Sequence, residues 1–171
     1  MQQTAIPSIA SIPGLDPGLR DRLIRSLNQN LATLTDLATA YKQAHWNVVG
    51  PDFSQLHELF DQFADQTREY VDLAAERAVA LGGVADGTIQ AAAEHTALPP
   101  FPREERDEVR LLEELAQRID RLVAELRQGI ALSVDEAATQ DVFIEITRGI
   151  EKQRWMLLAH LERRGGDGRA R

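Results

Sequence analysis

FSQLHELFDQFADQTREYVDLAAERAVAL, residues 53–81, carries Leu56, Phe60, Phe63, Thr67, Tyr70, Ala74, Ala78 and Leu81 at steps of three and four. That spacing is one apolar stripe of an α-helix. Gly82 and Gly83 follow as a stop, and Gly50-Pro51 punctuates the chain just before it. Its polar side carries a second pattern, His57 with Asp61 and Asp72 with Glu76, each pair four residues apart and so one turn apart on one face. At 3.6 residues per turn all four fall within an arc of roughly 100°, well away from the apolar stripe.

Working outward, Asp16-Pro17 reads as an N-cap followed by proline in the first helical turn. From Ile24 a stripe of Leu27, Leu31, Leu34, Ala38, Tyr41 and His45 makes a long first helix with histidine at its far end. The short link to the second helix predicts an antiparallel pair. Residues 82–103 are rich in Gly, Ala and Pro, with room for a short helix at Thr88–Glu94. At about 3.3 Å per residue this linker easily recrosses a helix of about 42 Å. A third helix follows with Leu112, Leu115, Ile119, Leu122, Leu126 and Ile130, and a fourth with Phe143, Ile146, Ile150, Leu157 and Leu161, the latter capped by Ser133 or Asp135. No convincing strand alternation occurs, so the fold class is all-α: a four-helix bundle with a long crossover between helices two and three.

The 171 residues suit one domain, expected as an N-terminal extension at 1–15, a bundle at 16–162 and a basic tail at 163–171. Hydrophobic residues at 43% and charged residues at 27% are ordinary globular usage. Neither a membrane span nor a secretory signal is visible, which predicts a cytoplasmic location. With no cysteine, any metal must be held by oxygen and imidazole nitrogen. A net charge of -8 argues against a protein built mainly to bind nucleic acid. The exception is the tail, where Arg163, Arg164, Arg169 and Arg171 make either a frayed terminus or a weak DNA contact.

The four ligand-type residues do not close on one ion. Asp61 and Asp72 are 11 positions apart, about 16 Å along a helix axis. The pairs 57/76 and 61/72 share one midpoint, however. Two copies of the helix crossing antiparallel about a twofold axis therefore set each His57/Asp61 pair opposite a Glu76/Asp72 pair. The same relation sets Asp65 opposite Arg68 of the second copy, and His45 adds an imidazole beside His57. Taken singly, each carboxylate also reads as a solvated face and His45 as a core residue. The joint symmetry favours a metal site.

Lys42-Gln-Ala-His-Trp-Asn-Val-Val-Gly-Pro-Asp-Phe53, then Leu56-His57-Glu58, Asp61 and Asp72-Leu-Ala-Ala-Glu-Arg-Ala78, resemble the signature of the Dps mini-ferritins. The resemblance covers about residues 20–162. It implies a ferritin-like bundle in a hollow homo-dodecamer that oxidises ferrous iron, preferably with hydrogen peroxide, at twofold interfaces. The ferric product is stored as a mineral, which protects DNA from oxidative damage. His45, His57, Asp61, Asp72 and Glu76 match the family's iron ligands, where zinc is a possible competitor. Trp46 matches a tryptophan that either relays an oxidising equivalent or plugs the interface. Glu58, Asp65 and Glu69 are candidate mineral nucleation points, and Asp141 with Glu145 candidate pore residues, although a solvated face explains these as well. An alternative is a DNA-coating particle acting through the arginine tail. The larger ferritins need Glu-x-x-His pairs on facing helices, and no such spacing occurs.

Overall fold

The computed structural model describes residue 12 and residues 14–167, without the side chains of 163–167. Most of the expected N-terminal extension and the side chains of the arginine tail lie outside the described residues. Five helices follow in order: α1 (Pro17–Asn47), α2 (Phe53–Ala80), α3 (Ile89–His95), α4 (Glu108–Leu132) and α5 (Ala137–Asp167). The α5 backbone thus continues past residue 162. Helix α1 packs along α2 and α4 along α5, while α1 with α4 and α2 with α5 close the ring, and α3 rests on α1. This is the all-α ferritin-like bundle with its long crossover.

Local chemistry sets each boundary. Asp16 accepts the Leu19 N–H at 2.7 Å, and Pro17 needs no partner for the N–H it lacks. Helix α2 ends one residue before Leu81. Gly82 turns at φ 81°, its N–H bonding the Val79 carbonyl while the Gly83 N–H bonds Ala78, a Schellman closure that a side chain at 82 would strain. Thr88 caps α3 by accepting from Ala91 N–H at 3.2 Å. The start of α5 differs from the sequence reading. Ser133 turns back and donates to the Gly129 carbonyl of α4 at 2.7 Å, and Asp135 is exposed. Glu136, immediately before the helix, is the side chain that reaches the Thr139 N–H, at 2.7 Å.

The apolar stripes of the four long helices meet in one core that includes Leu27, Leu34, Phe60, Leu115, Leu122, Phe143 and Ile150, all fully buried. Each such side chain contributes roughly 1.5–3 kcal/mol of transfer free energy. The crossover is held by polar contacts. Asn28 bonds the Val84 carbonyl at 2.9 Å, Gln29 that of His95 at 2.7 Å, and buried Arg118 that of Pro99 at 2.6 Å. Arg118 also stacks on the Phe101 ring at 4.9 Å. Among the described residues, no helix is long and apolar enough to cross a membrane.

Candidate metal centre

Among the described residues, the bundle interior offers no ligand set. Its central polar cluster is neutral: Tyr41 donates to Gln153 at 2.9 Å, and the Gln153 amide donates to Gln66 at 3.0 Å. Histidine is absent from the buried polar groups described, and Glu108 at the end of the bundle is the one carboxyl among them.

The outward side of the α1–α2 hairpin is different. His45, in the last turn of α1, and His57, in the second turn of α2, stack with ring centroids 3.7 Å apart and planes 22° apart. Each ring reaches the other's backbone: His45 Nδ1 lies 2.6 Å from the His57 carbonyl, and His57 Nδ1 lies 2.9 Å from the His45 carbonyl. A carbonyl only accepts, so both Nδ1 atoms carry the proton when the rings are neutral. Both Nε2 lone pairs are then left for another partner, the way metal-ligating histidines are oriented. Phe53 packs against His57 at 5.2 Å between centroids.

Asp61, one turn beyond His57, is partly exposed and ion-paired with Lys42 of α1. The Lys42 hydrogen bond holds its carboxyl below the usual carboxylate range. Burial opposes this, and the charges of Lys42, His45 and His57 reinforce it. The Lys42 ammonium also lies 5.7 Å from the ring of Trp46, which is 67% exposed. Asp72 and Glu76 are exposed farther along α2. At 1.5 Å per residue Glu76 lies about 28 Å along the axis from His57. Among the described residues of one chain, no three His, Asp or Glu side chains come together to hold a metal ion. Arg68 donates to Asp65 of its own chain at 2.6 Å, so the charges expected to meet across a symmetry axis are already paired at i,i+3 spacing.

A ferritin-like domain profile matches residues 24–164. The "DNA protection during starvation protein" of Agrobacterium fabrum is 38% identical over 151 residues, which cover 86% of this chain and 93% of the relative. The chain belongs to the Dps family. Among solved structures, DpsA14 from Streptomyces coelicolor superposes with a TM-score of 0.85 at 34% identity, covering 90% of this chain and 92% of that one. Dps from Microbacterium arborescens in its high iron form gives 0.81 at 35% identity, covering 86% and 97%.

In this Dps chain the secondary candidates separate by position. Glu58, Asp65 and Glu69 are exposed on α2, and Asp141 and Glu145 are exposed one turn apart near the start of α5. Glu69 and Glu145, read from the sequence in different roles, share a neighbourhood. Burial raises the Tyr70 hydroxyl pKa first, and the charges of Glu145 and Glu69 raise it further. Two groups that contact the α1–α2 hairpin carry no signal in the sequence. Lys42 stands three residues before His45, a position that only the fold turns onto Asp61. Glu108 contacts the α1–α2 loop from 56 residues away, and no local pattern announces it.

Proposed function

We propose that this Dps chain oxidises ferrous iron at sites shared by two copies and stores the ferric product inside a hollow homo-dodecamer. His45, His57 and Asp61 supply half of each site, and Asp72 with Glu76 of a second copy supply the other half. The observation that carries this reading is the reciprocal histidine clamp. Both Nδ1–H groups are committed to backbone, so each of the two stacked rings keeps its Nε2 lone pair, with the Asp61 carboxyl one turn beyond His57 on α2.

Imidazole and carboxylate accept both ferrous and ferric iron. Zinc suits the same donors and is expected to compete. Each of two ferrous ions gives up one electron to hydrogen peroxide. The O–O bond breaks, two protons are taken up and two waters form, so no hydroxyl radical is released. This chain's part is to hold the ions within reach of one oxidant, and Lys42 must leave Asp61 as iron arrives. Trp46, exposed beside His45, covers the junction or relays an oxidising equivalent. Asp141 and Glu145 would raise the cation concentration at an entry pore, and Glu58, Asp65 and Glu69 would seed mineral. The names of the relatives point to protection of DNA in starved cells, which removal of ferrous iron and peroxide achieves.

Rapid mixing of ferrous iron and peroxide tests the reading. Wild-type protein should give fast oxidation and a soluble brown product. The His45→Gly/His57→Gly variant should assemble normally yet lose the fast phase. Equal rates in both would overturn the assignment.

A further inference from the structure

The loop between α1 and α2 has to deliver two histidine rings into contact from opposite directions. His45 lies two residues before the end of α1, and His57 lies at the fifth residue of α2. Five residues, 48–52, make the connection. Asp52, at the N-cap of α2, makes no side-chain cap hydrogen bond.

The brace comes from α4. Asp107 caps that helix by accepting from Val109 at 3.0 Å and Arg110 at 3.1 Å, which orients its first residue, Glu108, toward the loop. Glu108 is 1% exposed, and its Oε2 accepts the Asp52 N–H at 3.0 Å. Val49 N–H bonds the Arg106 carbonyl at 2.8 Å, pinning the other side of the loop to the same point. Gly50 makes this approach possible. A Cβ there would lie 2.0 Å from Glu108 Cδ and 2.2 Å from Oε2, a distance neither group can keep. A buried acidic side chain is costly unless its oxygens are used. Here Oε2 is used to fix the loop backbone.

We propose that Glu108 is a positioning residue for the iron site, acting through the Gly50–Asp52 backbone to hold His45 and His57 in register. The assignment rests on the histidine site proposed above. Because each ring is anchored to the other's carbonyl, a shift of the loop moves both Nε2 atoms at once. Groups that orient metal ligands in this way typically change affinity by about 10- to 100-fold when removed.

Cobalt(II) binding, followed by its visible absorption without oxidant, is the readout, with melting temperature and assembly measured in parallel on the full-length protein. Glu108→Ala should weaken cobalt binding by about tenfold or more in folded, assembled protein. Glu108→Gln, whose amide oxygen still accepts the Asp52 N–H, should keep most of the affinity. Gly50→Ala should weaken binding in the wild-type background and add nothing to Glu108→Ala, because the group it collides with is gone. Wild-type affinity in Glu108→Ala would overturn the proposal, as would an equal loss in Glu108→Gln or an additive loss in the double variant. The His45→Gly/His57→Gly protein separates the two failures. Unchanged cobalt binding there would refute the site itself, whereas binding lost there but intact in Glu108→Ala would refute only the role of Glu108.

Discussion

The polar cluster inside the bundle and the polar face outside it obey opposite rules. Tyr41, Gln153 and Gln66 spend their hydrogen-bonding capacity on one another, as buried polar groups must. On the outer face of α2, His57 and its neighbour His45 use one nitrogen each and keep the other. Asp61 is held only by a displaceable lysine, and Asp72 and Glu76 are exposed. The inner groups hold one chain together. The outer groups are oriented without being consumed, which is what binding requires.

The contrast is broken most severely at the far end of α2. Asp72→Asn with Glu76→Gln should slow ferrous oxidation by about 100-fold, ~2.7 kcal/mol in the barrier, although these residues lie about 22 and 28 Å along the helix from His57 in the same chain. Stopped-flow absorbance would measure it, and the melting temperature should hardly move. Inside the bundle the effects should reverse. Gly149 faces Tyr70, and a Cβ there would lie 1.8 Å from the hydroxyl oxygen. Gly149→Ala should therefore cost about 1–3 kcal/mol by overpacking, read by denaturant titration, with the oxidation rate of the remaining folded protein unchanged.

A smaller effect carries a pH signature. Burial pushes the Glu136 carboxyl up, but hydrogen bonds from the Thr139 hydroxyl, Arg77 and the Thr139 N–H outweigh it, and the net pKa lies below the ordinary 4.5. A depressed carboxyl stabilises the fold above its unfolded value, and that stability is lost as pH falls through the folded value. Glu136→Ala should cost about 1 kcal/mol near neutrality, and the difference from wild type should shrink as the pH drops below 4.5. Calorimetry at several pH values would check the sign. The smallest change is expected at Lys42. Lys42→Met removes the ammonium that competes for Asp61 and should tighten ferrous binding by about two- to five-fold in anaerobic titration.

The helices were legible because each long one must bury a stripe, and stripes repeat locally at 3.6 residues per turn. Asp16 and Gly82 announced their helix ends through side-chain or backbone needs visible within a few residues. The start of α5 misled, because Ser133, Asp135 and Glu136 are all chemically able to cap. Only the turn of the chain decided that Ser133 faces α4 while Glu136 reaches Thr139. The placement of His57 and Asp61 one turn apart on α2 was readable from an i,i+4 spacing. The Lys42–Asp61 pair and the Glu108 brace were not, because each joins residues brought together only by folding.

Subunit mixing tests the shared site most directly. Chains carrying His45→Gly/His57→Gly and chains carrying Asp72→Asn/Glu76→Gln are each expected to be inactive alone. When equal amounts are refolded together, random twofold pairing should restore about a quarter of the sites, since each mixed pair contains one intact and one doubly impaired site. Recovery of about a quarter of wild-type ferrous oxidation is the predicted result. No recovery in demonstrably mixed assemblies would contradict a site built from two chains.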